Sequence, residues 1–109
     1  MLAAGMSAFV YILRCADGSY YVGSARGSLE HRIAEHHTGN FCGYTKRRRP
    51  VVLVFAQEFD RITDAIAAER QIKGWSRAKK EALIEGDFDA LRVLARNHTQ
   101  YPRPSTGSG

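Results

Sequence analysis

The sequence has no apolar run that approaches the roughly 20 residues of a membrane-spanning helix. Its first residues, Met1 to Met6, carry no charged side chain, so they lack the basic segment with which a signal peptide begins. These two absences exclude the usual signals for membrane insertion and for export. We therefore expect a location in the cytoplasm and no membrane partner.

Cysteine is also scarce. The chain has two cysteines, Cys15 and Cys42, which are far apart and belong to no C-x-x-C pair. This usage is typical of reduced thiols, although a cross-strand disulfide between the two would also fit. No Cys/His cluster has the spacing of zinc ligands, which excludes a structural zinc site.

Apolar residues are plentiful enough for one compact core. The chain has 109 residues, of which 44% are hydrophobic and 25% charged, an ordinary balance for a globular protein. A chain of this length fits one domain and leaves little room for a second. We predict a single domain over residues 1–97 and a disordered tail over residues 98–109, which are polar and include two prolines.

The net charge of +5 is concentrated in one segment. Four consecutive cations supply most of it and leave the rest of the chain nearly neutral: Lys46, Arg47, Arg48 and Arg49. A basic patch on a neutral body indicates a polyanionic partner such as nucleic acid, although a solvated basic loop would account for the charge equally well. If the segment neutralised about four phosphates, log affinity would fall with log salt concentration with a slope of roughly −3.6.

The first secondary-structure elements read as a hairpin followed by a helix. Residues 8–14 and 20–24 are rich in β-branched and aromatic side chains and predict two strands joined by a turn. Gly23, inside the second strand, indicates a bulge or a close backbone approach. Ser28 and Gly39 are expected to cap the helix that follows.

The rest of the chain predicts one more strand and further helices. Residues 38–50 are Gly-rich and then basic, which predicts a loop, and the apolar run of residues 51–55 predicts a central, well-covered strand. Polar caps predict three helices, beginning after Thr63, Ser76 and Asp87. Together these elements predict an α+β domain, in which helices flank a small antiparallel three-stranded sheet.

Four segments, in this order, resemble the motifs of the GIY-YIG endonuclease family. They are Phe9-Val10-Tyr11, Tyr21-Val22-Gly23-Ser24-Ala25, Leu29 to His36, and Ala68 to Lys73. The likeness covers roughly residues 8–85 and is greatest to the compact stand-alone bacterial branch, whose members include the basic stretch Tyr44 to Pro50.

The sequence departs from the family pattern in three ways. Phe9 and Val10 stand where the family name has Gly and Ile. A further Asn that many relatives carry has no equivalent in the matched part, since Asn97 lies outside it. The chain also lacks the added DNA-binding domain of homing enzymes, so base-specific recognition is not expected.

The resemblance implies a catalytic set made of Tyr11, Tyr21, Arg32, His36 and Glu69, with Gly23 structural beside it. Tyr11 is the better candidate for activating water and Tyr21 for positioning water or phosphate. A phenol, with a pKa of about 10, needs a neighbour that takes its proton or a cation that lowers its pKa. Alone, a tyrosine in a strand is more often part of the core.

The helix residues suit the phosphate. A guanidinium such as that of Arg32 is permanently charged and forks onto two oxygens, and His36, one turn along, can accept a proton or donate to phosphate. Without the motif, an Arg and a His at this spacing are more often an exposed polar face.

Glu69, as a lone carboxylate, suits a single Mg²⁺ or Mn²⁺ ion, because Mg²⁺ keeps several waters and takes few protein ligands. The ion would stabilise the leaving oxygen and the charged transition state. An ion pair with Lys73, four residues along the helix, is the simpler alternative.

We therefore expect a metal-dependent endonuclease that hydrolyses DNA, with a preference for single-stranded or branched DNA. The alternatives are a non-catalytic nucleic-acid-binding module on the same scaffold and an RNA-processing nuclease.

Overall fold

A computed structural model describes residues 7–39 and 43–100, with side chains through Leu94. The described residues form three strands and five helices: β1 (Ala8–Arg14), β2 (Tyr20–Arg26), α1 (Leu29–Thr38), α2 (Gly43–Lys46), β3 (Val52–Phe59), α3 (Ile62–Lys73), α4 (Arg77–Glu85) and α5 (Phe88–Gln100). The strands form one antiparallel sheet in the order β2-β1-β3. The predicted α+β class, with a small three-stranded antiparallel sheet flanked by helices, is confirmed.

The hairpin of β1 and β2 is held by its turn. Gly18 adopts a φ of 86°, a backbone conformation that glycine reaches without steric cost. The Asp17 carboxylate accepts hydrogen bonds from the backbone N–H and the hydroxyl of Ser19, at 3.0 and 2.6 Å. This turn sets a register in which Tyr11 lies opposite Gly23, and that pairing defines the site described below.

The third strand is not the central strand that its apolar run predicts. β1 lies in the middle of the sheet, and its residues Val10 to Leu13 are fully buried. β3 is an edge strand, on which Val52 and Leu53 are 50% and 40% exposed. The prediction was wrong because an apolar run records how hydrophobic a strand is and not how many neighbours it has.

The two faces of the sheet are covered by different helices. Tyr11, Leu13 and Ala25 form one core cluster, against which Leu29 and Ile33 of α1 pack. Side chains alternate along a strand, so the intervening buried residues of β1 point to the other face. On that face α3 packs against β1 and β2.

The ends of the helices match the predicted caps with one exception. Ser28 accepts a hydrogen bond from the backbone N–H of His31 at 3.1 Å, and Gly39 ends α1 in the left-handed region with a φ of 80°. α3, in contrast, begins at Ile62 after Arg61, which makes no side-chain capping bond. The capping role predicted for Thr63 is therefore wrong, because Thr63 already lies in the first turn of the helix.

The chain divides into two compact units, with the boundary between Gly74 and Trp75. In the second unit α4 and α5 pack together, and the Ser76 hydroxyl caps α4 by accepting from the backbone N–H of Lys79 at 3.2 Å. The Asp87 carboxylate accepts from the backbone N–H of Ala90 at 3.1 Å. A single domain over residues 1–97 stays a prediction.

Two further expectations concern the ends of the described chain. α5 continues to Gln100, three residues into the segment predicted as a disordered tail, and residues 101–109 lie outside the described residues, as does Cys42. Cys15 is buried. In the part of the chain that the structure describes, every helix is too short or too polar to cross a bilayer.

Candidate active site

A chain of buried hydrogen bonds joins β1, α1 and α2. The Tyr11 hydroxyl lies 2.9 Å from His36 Nε2, and His36 Nδ1 lies 2.8 Å from the Thr45 hydroxyl. All three residues are fully buried. A neutral imidazole has one N–H donor and one acceptor nitrogen, so one proton-donating direction, from Tyr11 to Thr45 or the reverse, satisfies both contacts. We call Tyr11, Tyr21, His36 and Thr45 the phenol–imidazole cluster.

His36 is neutral at physiological pH. The pKa of the imidazole is lowered to about 4 from its ordinary value of 6.5, and the largest cause is burial, which removes water from the ring. The positive charge of Arg32 lowers the pKa further, and the carboxylate of Glu35 opposes it. The Nε2 atom of a neutral His36 can accept a hydrogen bond from the Tyr11 hydroxyl, which is one of the two directions described above.

Gly23 is required for the approach of the two phenols. A Cβ atom added to Gly23 would lie 2.7 Å from the Tyr11 hydroxyl oxygen and 3.0 Å from Cε2 of Tyr21. Real Cβ atoms essentially never approach another atom as closely as 2.7 Å, so the Tyr11 ring or the strand would have to shift to admit a side chain here. β1 and β2 pair without a register shift, so the close approach, and not the bulge, is the correct alternative at this glycine.

Tyr21 completes the cluster and differs from Tyr11 in exposure. The centroid of its ring lies 5.1 Å from that of His36 and 6.4 Å from that of Tyr11. Tyr11 is fully buried, whereas Tyr21 is partly exposed. The preference for Tyr11 as the phenol that activates water stays a prediction, and the greater exposure of Tyr21 is the observation that weighs against it.

A second group of side chains meets at Ser24, the residue after Gly23. An Nη1 hydrogen of Arg32 is donated to the Ser24 carbonyl oxygen at 3.0 Å, and the Ser24 hydroxyl donates to Oε1 of Glu69 at 2.6 Å. Glu35 pairs with Nε of Arg32 at 3.0 Å, and Lys73 pairs with Oε2 of Glu69 at 2.7 Å. We call these five residues the Arg32–Ser24–Glu69 cluster.

This second cluster is charged and only partly buried. The Glu69 side chain is 18% exposed and that of Arg32 24%. Burial alone would raise the pKa of the Glu69 carboxyl, but hydrogen bonds from Lys73 and Ser24 outweigh it and leave the pKa below its usual value. Glu69 is therefore a carboxylate at neutral pH. Glu69 is paired with Lys73 and is also joined to Arg32 through Ser24. Both expected alternatives for Glu69, a metal ligand and an ion pair with Lys73, therefore stay open.

The two clusters lie on opposite faces of β2. Gly23 faces the phenols, and the side chain of Ser24, the next residue, points the other way. Tyr11 and His36 are thus on the face that α1 covers, and Glu69 approaches from the face that α3 covers. Arg32 contacts the backbone of β2 between them. The five predicted residues surround two adjacent residues of one strand, and two of them are closed to solvent.

The basic segment is less uniform than its sequence. Arg48 donates its Nε to Asp17 and an Nη1 hydrogen to the Tyr44 carbonyl oxygen, both at 3.0 Å. Arg49 donates in the same way to the carbonyl oxygens of Lys46 and His37, at 3.0 and 3.2 Å. Lys46 and Arg47 are exposed. Two of the four predicted nucleic-acid-binding side chains therefore hold the segment in place, and its predicted loop contains the short helix α2.

Three residues at the site were not singled out from the sequence: Ser24, Tyr44 and Thr45. Ser24 and Thr45 are small polar residues in segments that resemble the family, and nothing in their type or spacing indicates that they bond to Glu69 and His36. Tyr44 is an aromatic residue two positions before the first cation of the basic run, a combination that does suggest nucleic-acid binding.

A lone carboxylate with a hydroxyl beside it fits a hard cation. Glu69 and Ser24 offer oxygen ligands, which Mg²⁺ and Mn²⁺ accept together with water and phosphate. Across the described residues, no three or more His, Cys, Asp or Glu side chains gather where they could hold an ion. A closed all-protein metal cage is thus absent from that part, and a site that substrate and water complete remains compatible with it.

A cavity of about 600 Å³ lies elsewhere, beside α1 and β3. Its lining is mostly apolar and includes Phe9, Leu29, Ile33 and Leu53. None of the predicted site residues lines it. An apolar cavity without a cluster of cations does not suit a phosphodiester, so we do not place the reaction there.

Comparison with known proteins gives consistent similarities. The sequence model described as the GIY-YIG catalytic domain matches residues 7–82. A UPF0213 protein of Staphylococcus saprophyticus is 46% identical over 76 residues, which cover 70% of this chain and 92% of the relative. A UPF0213 protein of Halobacterium salinarum is 43% identical over 75 residues, covering 69% and 96%. The solution structure of a protein from E. faecalis has a TM-score of 0.52 and 33% identity, covering 75% of this chain and 86% of that one.

Proposed function

The chain belongs to the family of GIY-YIG catalytic domains, and from this premise we propose that it is a divalent-metal-dependent endonuclease that hydrolyses phosphodiester bonds of DNA. Membership of the family implies an endonuclease-type hydrolase and a nucleic-acid substrate. The choice of DNA, the metal ion and the roles of individual residues are our proposal.

One observation carries the proposal. The guanidinium of Arg32 and the carboxylate of Glu69 bond to two atoms of the same residue, Ser24, at 3.0 and 2.6 Å. A binding protein without catalysis gains nothing from a carboxylate beside a phosphate-binding guanidinium, because the carboxylate repels the phosphate. A hydrolase needs both, since a carboxylate can hold the cation that neutralises the reacting phosphate.

Arg32 would bind the phosphate to be cut. It is held in place by Glu35 and by the Ser24 carbonyl and is partly exposed, so its orientation is set before substrate arrives. A pre-oriented guanidinium stabilises the charge that develops on the phosphate oxygens without reorganisation in the reaction.

Glu69 would hold the metal ion, with Ser24 beside it. When bound, the ion stabilises the leaving oxygen and the charge of the transition state. Lys73 competes for the same carboxylate, but its side chain is 52% exposed, so its ammonium can return to water at small cost. Lys73 therefore keeps Glu69 ionised in the free protein.

Tyr21 would be the phenol that meets the attacking water or the phosphate, since it is partly exposed. Tyr11 and His36, which are buried behind it, would position its ring by packing against it. A neutral His36 next to two phenols provides a proton acceptor without adding positive charge inside the fold. Each of these roles belongs to the proposal.

The test is a cleavage assay on labelled single-stranded, duplex and branched DNA, and on RNA of the same sequence, with Mg²⁺, Mn²⁺ or EDTA. We expect cleavage of DNA that requires the metal and that falls by about 10²–10³-fold in Arg32→Ala, the scale of removing one charge-stabilising donor. The matched control is Arg92→Ala, because Arg92 also pairs with an acidic residue three positions away, Asp89. This variant should cleave DNA like the wild type.

Four outcomes would contradict the proposal. Cleavage that persists in EDTA would remove the metal from the mechanism. Equal cleavage by the wild type and Arg32→Ala would assign the activity to another site or to a contaminant. Tight binding of DNA with no cleavage would favour the non-catalytic module, and cleavage confined to RNA would favour the RNA-processing nuclease.

A further inference from the structure

The ring of Tyr44 is close to the proposed site and has no role in the function proposed above. Tyr44 lies on α2 and is 40% exposed. Its ring centroid is 5.9 Å from that of Tyr21, with the planes inclined at 34°, and Tyr21 in turn contacts His36. A column of rings thus leads from the buried imidazole of His36 through Tyr21 to an aromatic side chain at the surface.

Arg48 extends this column. Its guanidinium carbon lies over the Tyr44 ring, 3.9 Å from the centroid. Nε is bonded to the Asp17 carboxylate and Nη1 to the Tyr44 carbonyl oxygen, both at 3.0 Å. The N–H groups of a guanidinium point outward in its plane, so these bonds fix the orientation of that plane. Because they are made at its edge, they do not cover its faces.

The Arg48 side chain is 33% exposed. A planar cation that is fixed at its edge by the protein is suited to stacking with a flat ring, and less suited to gripping a phosphate, which would need the same edge. Unpaired bases stack on aromatic rings and on guanidinium planes in proteins that bind single strands.

We propose that Tyr44 and Arg48 form a stacking surface for an unpaired nucleobase, next to the phosphate that Tyr21 and Arg32 would contact. This inference rests on the proposed function and deepens it by naming the substrate class, single-stranded or locally unpaired DNA. In a duplex the bases stack on each other, so a base must leave the helix before it can use this surface. Every base has a flat face, so the surface reads strandedness and not sequence.

The charge around Tyr44 agrees with this role. Lys46 and Arg47 follow it in the same segment and are exposed. Exposed cations that track a phosphate backbone, combined with an aromatic side chain for the bases, are the usual elements of single-strand binding. Arg48 supplies the planar face in this arrangement, while Lys46 and Arg47 supply charge for the backbone.

The experiment measures binding by fluorescence anisotropy with a labelled single strand and its duplex. EDTA is present, so that binding is measured without metal-dependent cleavage of the DNA. Tyr44→Ala should bind the single strand about 5- to 100-fold more weakly, the scale of losing one stacked base, and the duplex within about twofold of wild type. Tyr44→Phe, which keeps the ring, should bind both like wild type. Tyr44→Leu, which keeps bulk without an aromatic face, should resemble Tyr44→Ala.

Two controls keep the result interpretable. Phe88→Ala removes another exposed aromatic side chain, since Phe88 on α5 is 62% exposed. This variant should bind both the single strand and the duplex like wild type. Wild type should bind a single strand with abasic sugars at the contacted positions as weakly as Tyr44→Ala binds the intact strand. Tyr44→Ala should bind the abasic strand with the same affinity as wild type. Circular dichroism establishes that each variant is folded, and Tyr44→Leu, which also lacks the aromatic face, carries the test if Tyr44→Ala does not fold.

The proposed function and this inference fail separately. Wild type that cleaves DNA while Tyr44→Ala keeps full affinity for the single strand would overturn the stacking surface and leave the nuclease. The stacking surface would also be overturned by an equal loss for single strand and duplex, by a Tyr44→Phe variant that binds as poorly as Tyr44→Ala, or by a wild type that does not bind single strands. A wild type that binds through Tyr44 but cleaves nothing would support the surface and refute the nuclease.

Discussion

The phenol–imidazole cluster and the Arg32–Ser24–Glu69 cluster occupy neighbouring positions of β2 and differ in almost every physical property. The first is neutral, and three of its four members are fully buried. The second consists of ion pairs at a partly exposed edge. Buried groups are costly to leave without partners, whereas exposed ion pairs contribute little to stability. The comparison therefore assigns fold stability mainly to the first cluster and interaction with a charged substrate mainly to the second.

The largest expected effect is on activity and concerns the charged cluster. Glu69→Gln keeps the shape of the side chain and its contact with Ser24 but removes the charge that would hold a cation. We expect metal-dependent cleavage to fall by about 10²–10³-fold and the free energy of unfolding to change by less than about 1 kcal/mol. Steady-state cleavage rates and urea denaturation measure the two quantities.

The matched control for this variant is Glu81→Gln. Glu81 pairs with Arg77 four residues away, which reproduces the separation of Glu69 and Lys73, and should retain full activity. If Glu69→Gln lowered the free energy of unfolding by several kcal/mol while the folded protein still cleaved at the wild-type rate, the division of roles between the two clusters would be wrong.

The next effect is a pH dependence of stability that originates in His36. Its pKa is lowered in the folded protein to about 4 from 6.5, so between these values the unfolded state binds a proton that the folded state does not. The contribution of His36 to the free energy of unfolding is therefore fully present above pH 6.5. It falls as the pH drops towards 4, by at most about 3 kcal/mol. Urea denaturation from pH 4 to 8 measures this change.

His36→Gln removes the imidazole and should flatten the curve over that range. The charges that act on the His36 imidazole are those of Arg32, Glu35 and His37, and all three stay in the variant. An unchanged slope in His36→Gln would show that another group causes the pH dependence.

A third effect concerns the close packing of the neutral cluster. Gly23→Ala would place a methyl group 2.7 Å from the Tyr11 hydroxyl oxygen, and both the ring and the strand backbone are held in a buried core. We expect a loss of about 1–3 kcal/mol in the free energy of unfolding, the usual cost of overpacking. Thermal and urea denaturation measure it.

Gly74→Ala provides the comparison, because the nearest atom to its added methyl group is the Gln71 carbonyl oxygen at an ordinary 3.6 Å. Its backbone is right-handed helical, with a φ of −82°, so alanine fits and the change should be near zero or slightly stabilising. Equal losses in the two variants would mean that the contact with Tyr11 is not what makes Gly23 necessary.

The smallest effect tests the basic segment. Lys46→Ala and Arg47→Ala should each make the slope of log affinity for DNA against log salt concentration less negative by about 0.9, as expected for one lost phosphate contact. Arg49→Ala should leave the slope nearly unchanged, because Arg49 bonds to backbone carbonyls. A slope of roughly −3.6 that all four cations share would instead restore the uniform patch predicted from the sequence.

Local signals in the sequence located most elements. The hairpin turn, Ser28, Gly39 and Ser76 were found because a capping residue or a turn glycine acts on backbone groups within a few positions of itself. Thr63 was misassigned, since a threonine in the first turn of a helix resembles a cap in the sequence. β3 was misplaced, since its neighbours in the sheet are set by contacts distant in sequence.

The same distinction applies to the candidate site. Motif order was enough to bring Tyr11, Tyr21, Arg32, His36 and Glu69 forward as candidates, since each segment carries its own residue pattern. It could not show that Tyr11 is closed to water and Tyr21 is not. It also could not show that Arg48 bonds to Asp17, which lies 31 positions earlier in the chain.

The amino-acid sequence by itself determined the family, the α+β class and the chemistry of the side chains, because these depend on residue types and on spacings within single segments. Only the tertiary structure decided which groups are buried, which charges are neutralised internally and which residues meet at Ser24 and Gly23. The physical reason is that desolvation and hydrogen bonding act over a few ångströms in space, and the atoms concerned come from strands and helices that are far apart along the chain.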